Sequence, residues 1–395
     1  MIDYNSVLSS KVVEMKPSGI RKFFDLAAQM DNVISLGVGE PDFKTPYAIR
    51  RAGIESLEKG RTWYTANTGL APLKTAIAAY LKRRFELEYN EKNEVLVTVG
   101  GSEAIDLCVR ALVSPGDEVL IPEPSFVCYS PITTLAGGVP VAIPTRAEDK
   151  FRLTPAALEA AITPKTKLLV LPFPNNPTGA VMDRGHLEGI ARVLRGTDIM
   201  VLSDEIYAEL TYGDRHVSFA TIPDMWERTI TVNGFSKAYA MTGWRLGYAA
   251  GPAPVIAQMT KVHQFAIMCA PTTSQYAAIE ALKPDCDAEI ERMTVEYNMR
   301  RSLVVDNLNR MGLTCFDPRG AFYVFPSIAV TGLSSEQFCE RLLDQQRVAV
   351  VPGPAFGDSG EGHVRISYSY SVEHLIEALK RIAVFVESCR AGKAE

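Results

Sequence analysis

The chain has 395 residues, a length that favours two domains. Of these residues 47% are hydrophobic and 22% are charged, which is the usual composition of a globular protein. Its net charge of −5 disfavours nucleic acid and anionic membranes as partners, and the sequence lacks a bilayer-length apolar run and a signal peptide, so we expect a cytoplasmic protein. Seven scattered cysteines without a CxxC pair and five histidines without ligand spacing argue against disulfides and metal.

Seven short apolar runs between about residues 95 and 250 are rich in Val, Ile and Leu. Such runs are typical of strands buried on both faces. The predicted strands are 95–99, 119–121, 139–143, 168–171, 199–202, 229–232 and 246–250. Helical patterns at 102–112, 155–161 and 184–194 separate several of them. This alternation predicts an α/β fold, with a large domain whose mostly parallel seven-stranded sheet is covered by helices on both faces.

The remainder of the chain is predicted to form a smaller α+β domain. Its expected elements are a long charged helix at 288–311, strands at 320–325, 348–351 and 363–369, and a closing helix at 372–386. The segment before Pro46 is expected to pack on this part. The predicted division is therefore residues 47–285 for the large domain, and 1–46 with 286–395 for the small one.

The segment SKAYAMTGWRLG, residues 236–247, places a lysine and an arginine just after a predicted buried strand. A lysine forms Schiff bases with carbonyls once burial or nearby positive charge favours its neutral amine. The planar fork of an arginine donates two parallel hydrogen bonds to a phosphate. Lys237 beside Arg245 therefore suggests a site for pyridoxal phosphate.

Polar motifs follow three other predicted strands, at the edge where open α/β sheets bind ligands. The turn GGSEA, residues 100–104, opens a helix whose free N–H groups attract anions, although a tight turn with a capping serine is the alternative. Asn176, in NNPTG, either presents an amide to a ligand or forms a turn. Asp204 needs a partner at its buried strand end, either a pyridinium nitrogen or a helix to cap. Tyr207 either donates to the ring oxygen or packs in the core.

Two further side chains are candidates for ligand contacts, Phe126 with the ring of a cofactor and Arg365 with the carboxylate of a substrate. Phe126 follows the predicted strand 119–121 and can stack on an aromatic cofactor, whereas a core phenylalanine is the alternative. Arg365, in HVRIS, can pair with a substrate carboxylate through two nitrogens, whereas an exposed salt bridge is the alternative.

Together these motifs resemble the class I and II aminotransferases, which are fold-type I pyridoxal phosphate enzymes. The resemblance runs from about residue 34 to residue 382, and it is closest to the prokaryotic aspartate and aromatic amino acid aminotransferases. The motifs occur in the family's order: GEPDF (39–43), YTANTG (64–69), GGSEA (100–104), NNPTG (175–179), SDEIY (203–207), GFSKAYAMTGWRLG (234–247), GAFYVFP (320–326) and VRISYS (364–369).

The resemblance implies a role for each matching residue around the ring. Lys237 would hold the cofactor as a Schiff base and then move the proton at the substrate Cα. Asp204 would pair with the pyridine nitrogen, Asn176 and Tyr207 would bond the ring oxygen, and Phe126 would stack on the ring. The catalytic set is thus Lys237, Asp204 and Tyr207.

The resemblance also implies how the phosphate and the substrate are held. The phosphate would be bound by the turn at Gly101, by the backbone N–H groups of Ser102 and Glu103, by the Arg245 guanidinium and by the Ser236 hydroxyl. Tyr64 of the partner subunit would complete the site. The active unit would then be a homodimer. Arg365, helped by Asn176 and the backbone at Gly39, would bind the substrate α-carboxylate.

Two positions depart from the family pattern, and the substrate stays open. Many aspartate aminotransferases have a phosphate-binding serine three positions before the lysine, where this chain has Gly234, and they often have tryptophan at the position of Phe126. No motif marks an arginine for a side-chain carboxylate. Aromatic amino acids, aspartate, alanine and N-acylated diaminopimelate all remain candidates. Tyr4, Ile20 and His263 are candidates for the side-chain pocket.

The resulting hypothesis is a ping-pong aminotransferase that moves an amino group between an L-amino acid, aromatic or aspartate-like, and a 2-oxo acid. A carbon–sulfur β-lyase or an aminocyclopropane-carboxylate synthase is the nearest alternative, because both share the fold and the early chemistry. A pyridoxal-phosphate-sensing regulator is a remote alternative, since such proteins carry an added DNA-binding domain.

Overall fold

A seven-stranded sheet forms the centre of the fold in the computed structural model, which describes residues 2–17, 19 and 30–391. The order along the sheet is β2-β8-β7-β6-β5-β3-β4, with strands β2 (Val95–Thr98), β3 (Glu118–Glu123), β4 (Val139–Pro144), β5 (Thr166–Leu171), β6 (Met200–Asp204), β7 (Thr229–Gly234) and β8 (Gly247–Ala250). Strands β3 to β7 pair in parallel, whereas β8 runs antiparallel to both β7 and β2. The prediction of a mostly parallel seven-stranded sheet is confirmed.

Helices cover both faces of this sheet. Successive residues of β5 show why its sequence is apolar throughout: Leu168 and Val170 join the core under one face, while Leu169 and Leu171 join the core under the other. Side chains alternate between faces along a strand, so a strand covered on both sides needs an unbroken apolar run. The helices of this part are α3 (Tyr47–Glu58), α4 (Ala71–Phe85), α5 (Gly100–Leu112), α6 (Tyr129–Ala136), α7 (Pro155–Ala161), α8 (Arg184–Leu194), α9 (Ala253–Ala266) and α10 (Thr272–Ala281).

Two small sheets lie outside the central one. One pairs β1 (Ile34–Ser35) in parallel with β10 (Val348–Ala349), and the other has the order β11-β12-β9. The strands of the second sheet are β9 (Tyr323–Val324), β11 (Val351–Pro352) and β12 (Val364–Ser367). The accompanying helices are α11 (Asp287–Arg310), α12 (Ser335–Gln346) and α13 (Val372–Ala391), and two short helices, α1 (Tyr4–Val7) and α2 (Ser10–Glu14), precede β1.

Three predicted boundaries in this part were wrong. The run 348–351 is divided between the two small sheets, because Val348 pairs with Ile34 and Val351 pairs with Arg365. The strand predicted at 320–325 is reduced to Tyr323–Val324, since Ala321 and Phe322 form a turn. Gly320 makes only an isolated bridge with Thr211, and its N–H donates to the carbonyl oxygen of Gly179 in the NNPTG loop. Helix α13 extends to Ala391, five residues beyond its predicted end. Among the helices that the structure describes, none is both long and apolar enough to cross a membrane.

Candidate active site

A cavity of about 400 Å³ lies at the carboxyl ends of the parallel strands. Phe126, Pro172 and Ser236 come just after β3, β5 and β7, and Asp204 ends β6. Among the predicted site residues, those that line the cavity are Gly39, Gly101, Ser102, Phe126, Asn176, Asp204, Tyr207, Ser236, Lys237, Arg245 and Arg365. The volume lies within the usual range for small-molecule sites.

Lys237 stands on the cavity wall, three residues after β7 ends. Its Nζ donates a hydrogen bond to the carbonyl oxygen of Gly39 at 2.6 Å. Removal of the amine from water, helped by the nearby Arg365 guanidinium, lowers the pKa of Lys237 to about 8. At pH 7 about a tenth of the lysine is therefore a neutral, nucleophilic amine, far more than for a lysine in water.

Asp204 is buried at the end of β6, with 6% of its surface exposed. Its Oδ2 accepts a hydrogen bond from the hydroxyl of Tyr129 at 2.7 Å, and its Oδ1 accepts one from the backbone N–H of Ile206 at 3.2 Å. Burial raises the pKa of Asp204, and the Tyr129 hydrogen bond opposes that rise. A buried carboxylate that also lines a cavity is suited to a cationic group of a ligand.

The turn between β2 and α5 forms one end of the cavity. Gly100 has a φ of +76°, and a Cβ at this position would lie 2.7 Å from Nη2 of Arg245. Only glycine therefore lets the guanidinium approach the turn this closely. Gly101 and Ser102 lie in the first turn of α5, where backbone N–H groups have no helical acceptor. The turn and Arg245 together present a concentrated set of donors for an anion.

Arg365 lies on β12 and is 2% exposed, so the alternative of an exposed salt bridge was wrong. Its Nη1 donates to Oδ1 of Asn176 at 2.9 Å, and its Nη2 donates to the carbonyl oxygen of Gly37. Its Nε is buried without a hydrogen-bond partner among the described residues. The guanidinium also lies over the ring of Tyr323, 4.6 Å from the centroid. No carboxylate among the described residues pairs with this guanidinium at the cavity wall, so it suits an anionic group of a ligand.

Tyr207 and Tyr323 form a buried pair of phenols beside Arg365. Their hydroxyl oxygens are 2.8 Å apart. Burial holds the pKa of the Tyr207 hydroxyl well above its usual value, so this group stays protonated and can donate a hydrogen bond. The remaining aromatic candidate, Phe126, lines the cavity and makes an edge contact with Tyr129, with ring centroids 6.2 Å apart.

Sequence reasoning assigned no role to several groups that the fold brings to this cavity. They include Tyr129, Tyr323, Glu40 and Thr242. The hydroxyl of Thr242 donates to the Glu40 carboxylate at 3.2 Å, and both residues line the cavity. A signal existed for the two tyrosines, because Tyr129 lies three residues after Phe126 and Tyr323 falls inside the GAFYVFP motif.

Some candidates from the sequence do not reach the cavity in this chain. The Glu103 side chain bonds His263 instead of lining the cavity, although the group expected to meet the phosphate is its backbone N–H, in the first turn of α5. His263 is fully buried and does not line the cavity. Tyr64 is 81% exposed and also lies off the lining. Tyr4 is exposed at the surface, and Ile20 lies outside the described residues.

Known proteins share both the sequence and this architecture. The sequence profile of the class I and II aminotransferases matches residues 31–382. The chain is 54% identical to the putative aminotransferase YugH of Bacillus subtilis strain 168, over 96% of this chain and 98% of that protein. It is 47% identical to an aspartate aminotransferase of Pyrococcus abyssi, over 95% of this chain and 97% of that protein.

A solved structure extends the similarity to the fold. The aromatic aminotransferase of Pyrococcus horikoshii OT3 is 47% identical and superposes with a TM-score of 0.89, over 93% of this chain and 99% of that one. The class I and II family is known to use pyridoxal phosphate. The chain belongs to the class I and II aminotransferase family, and it is an aminotransferase that moves an amino group between an amino acid and a 2-oxo acid.

Proposed function

We propose that this aminotransferase uses pyridoxal phosphate bound in the cavity described above, and that its preferred amino donors are aromatic L-amino acids, with aspartate as the second candidate. The observation that carries the proposal is the Lys237 amine. It lies on the cavity wall with a pKa lowered to about 8, and it shares that wall with Asp204 and Arg245. A nucleophilic amine, a buried carboxylate and an anion site are the groups that this cofactor requires.

The residues present fit the cofactor at both of its ends. Asp204 offers a buried carboxylate to the pyridinium nitrogen, and Tyr207 and Asn176 offer hydrogen-bonding groups to the ring oxygen. At the other end, the donors of Gly101, Ser102, Ser236, Arg245 and the Glu103 backbone would hold the phosphate, and Phe126 would stack on the ring. Glycine at position 100 leaves room for the Arg245 guanidinium beside this turn. The Ser236 contact is part of the proposal.

When bound, pyridoxal phosphate supplies a carbonyl that captures amines and a ring that delocalises the electrons left when the Cα proton departs. Lys237 would take that proton from the substrate Cα, since a pKa of about 8 leaves about a tenth of its amine neutral at pH 7. Its protonated form would then deliver the proton to the cofactor rather than back to Cα. The Asp204 carboxylate favours a protonated pyridine nitrogen. Arg365 and Asn176, with the backbone at Gly39, orient the α-carboxylate so that the Cα–H bond faces the lysine.

The lining of the cavity favours an aromatic side chain over a carboxylate. The cationic side chains on the described lining are Lys237, Arg245 and Arg365, and each has a role in the scheme above. Apolar groups supply much of the remaining wall, among them Val38, Ile105, Pro172, Pro174 and Ile206. A dicarboxylate donor would need a further cation, which the partner subunit would have to provide.

Exposed apolar side chains near Tyr64 support the proposal of a homodimer. Trp63, Tyr64 and Phe265 are 73%, 81% and 87% exposed. Two hydrogen bonds join the loop of Trp63 and Tyr64 to the segment that follows the helix of Phe265. They run from the Thr272 hydroxyl to the carbonyl oxygen of Trp63 and from the Asn67 amide to that of Met268. Large apolar groups concentrated on one surface are typical of protein contacts. We propose that a second copy covers this surface and that Tyr64 then reaches the partner's phosphate site.

The division of the chain at residues 47 and 285 is part of the same proposal. The pairing of Ile34 with Val348 ties the segment before Pro46 to the C-terminal part, and Leu36 is buried in the core that contains Val348 and Ile366. A location in the cytoplasm stays a prediction.

A panel of amino donors tests the substrate class directly. The holoenzyme is incubated with 2-oxoglutarate and one donor at a time: phenylalanine, tyrosine, aspartate, alanine or an N-acylated diaminopimelate. We expect the highest kcat/KM for the aromatic donors. A preference for aspartate would overturn the aromatic assignment and leave the cofactor assignment intact. Release of pyruvate and ammonia from cysteine conjugates, with no pyridoxamine phosphate formed, would instead indicate lyase chemistry.

A further inference from the structure

The Glu103 side chain makes two hydrogen bonds behind the predicted phosphate-binding turn. Glu103 lies in the first turn of α5, and its Oε2 accepts a hydrogen bond from the backbone N–H of Val99. Its Oε1 lies 2.6 Å from Nδ1 of His263 on α9. Because a carboxylate can only accept, His263 is the donor. The carboxylate thus connects the residue before Gly100 to a second helix.

The contact with Glu103 is the one side-chain hydrogen bond of His263 among the described residues. His263 is fully buried, and its Nε2 has no hydrogen-bond partner in the part of the chain that the structure describes. A buried imidazole with one free nitrogen is costly to keep, and replacing a buried acid–base pair with apolar groups is often neutral or stabilising. A gain in folding stability therefore does not explain this pair, whereas its position behind the phosphate-binding turn suggests a role in that turn.

The orientation of the Val99 peptide constrains the direction of the backbone N–H groups that follow it. Val99 precedes Gly100, whose φ is +76°, and the N–H groups of Gly101 and Ser102 follow directly. Arg245 approaches the same turn from the cavity side. Glu103, which does not line the cavity, holds this turn through the Val99 N–H, and the hydrogen bond from His263 fixes the rotamer of Glu103. The hydrogen bond from His263 also partly offsets the negative charge of the Glu103 carboxylate, which reduces its repulsion of an incoming phosphate.

We infer that Glu103 and His263 form a positioning pair for the phosphate-binding turn, so that His263 governs affinity for the phosphate end of the cofactor without touching it. The inference rests on the proposed function. It concerns the phosphate alone, since neither side chain lines the cavity that would hold the ring.

Two forms of the cofactor separate this role from a general structural one. Enzyme freed of cofactor is titrated with pyridoxal phosphate and, separately, with pyridoxal, which lacks the phosphate, and binding is followed by the absorbance change. For His263→Leu and Glu103→Gln we expect about tenfold weaker binding of pyridoxal phosphate, as for loss of one charge-assisted hydrogen bond, with pyridoxal affinity unchanged. His263→Asn, whose amide can replace Nδ1 as the donor, should restore most of the difference.

The buried pair of His216 and Glu205 provides a matched control. His216 Nε2 lies 3.1 Å from the Glu205 carboxylate, and the hydrogen bonds of that carboxylate are to Ser203, Ser218 and Phe219 rather than to the phosphate turn. His216→Leu should change the two affinities by equal factors. Should His263→Leu fail to fold, Glu103→Gln keeps the side-chain shape and gives the same comparison. Equal losses for both ligands, or no loss for either, in the Glu103 and His263 variants would overturn the inference. Wild-type enzyme that binds neither ligand would overturn the proposed function instead.

Discussion

The Nζ of Lys237 lies 2.6 Å from the carbonyl oxygen of Gly39, although 198 positions separate the two residues along the chain. This hydrogen bond joins the GEPDF segment to the turn after β7. Within the same segment the Ser369 hydroxyl donates to the carbonyl oxygen of Glu40, and just before it Arg365 donates to the carbonyl oxygen of Gly37. The lysine and the backbone expected to meet the substrate are therefore already side by side.

The lowered pKa of Lys237 gives a pH prediction with a definite sign. Only the neutral amine attacks a carbonyl, and the pKa of this amine is lowered to about 8 by removal from water. The rate at which cofactor-free enzyme captures pyridoxal phosphate should therefore rise with pH and level off above about 8. Stopped-flow absorbance measures it. A rise that continues toward pH 10 would show that the lysine is solvated like a surface residue.

Asp204→Ala should bind the cofactor yet exchange the substrate Cα proton slowly. Without the carboxylate, the pyridine nitrogen loses its proton and the ring delocalises charge poorly, so we expect a fall of about 100-fold or more. Exchange of deuterium at Cα, followed by NMR, checks this. Tyr129→Phe removes one hydrogen bond to Asp204 and serves as the graded comparison, with a smaller loss. Exchange at the wild-type rate in Asp204→Ala would remove the carboxylate from the scheme.

Arg365→Ala should weaken substrate binding far more than cofactor binding. A charge-assisted hydrogen bond is worth about 1.5–3 kcal/mol, so KM for carboxylate donors should rise by about 10- to 100-fold. Arg365→Lys keeps the charge but loses the planar fork, and it should fall between wild type and Arg365→Ala. Steady-state kinetics with the best donor provides the values. An unchanged KM in Arg365→Ala would mean that another group binds the carboxylate.

Mixed dimers test whether Tyr64 acts across the subunit interface. Lys237→Ala and Tyr64→Ala subunits, each weakly active alone, are unfolded together and refolded as a mixture. A hybrid dimer has one site with both changes and one with neither, so about a quarter of wild-type activity should return after random pairing. If Tyr64 served its own subunit, the mixture would stay as inactive as its parts.

Much of this fold follows from local pattern, and the reasons are visible in particular strands. The runs that became β5 and β6 are apolar on both faces because helices cover both faces, which is the pattern that predicts a parallel sheet. The run 348–351 has the same composition, yet it divides between two sheets. Its partners lie far away in the sequence, at Ile34 and Arg365, so no local pattern could reveal the division.

The site was predictable where a motif follows a strand, and less so where residues meet only in space. Asp204 and Lys237 each follow an apolar run, so the sheet edge brings them together. Tyr129 reaches Asp204 from the start of a helix 75 positions earlier, and His263 reaches Glu103 across 160 positions. Such contacts depend on how helices pack on the sheet, and helix packing leaves no fixed spacing in the sequence.

Chemical trapping shows directly whether Lys237 carries the cofactor. Borohydride reduction of the holoenzyme makes a lysine–pyridoxal bond permanent, and peptide mass spectrometry then locates the label. We expect one pyridoxyl group per chain, on Lys237, and none in Lys237→Ala. A label on another lysine, or a Lys237→Ala variant that is still labelled to the same extent, would contradict it.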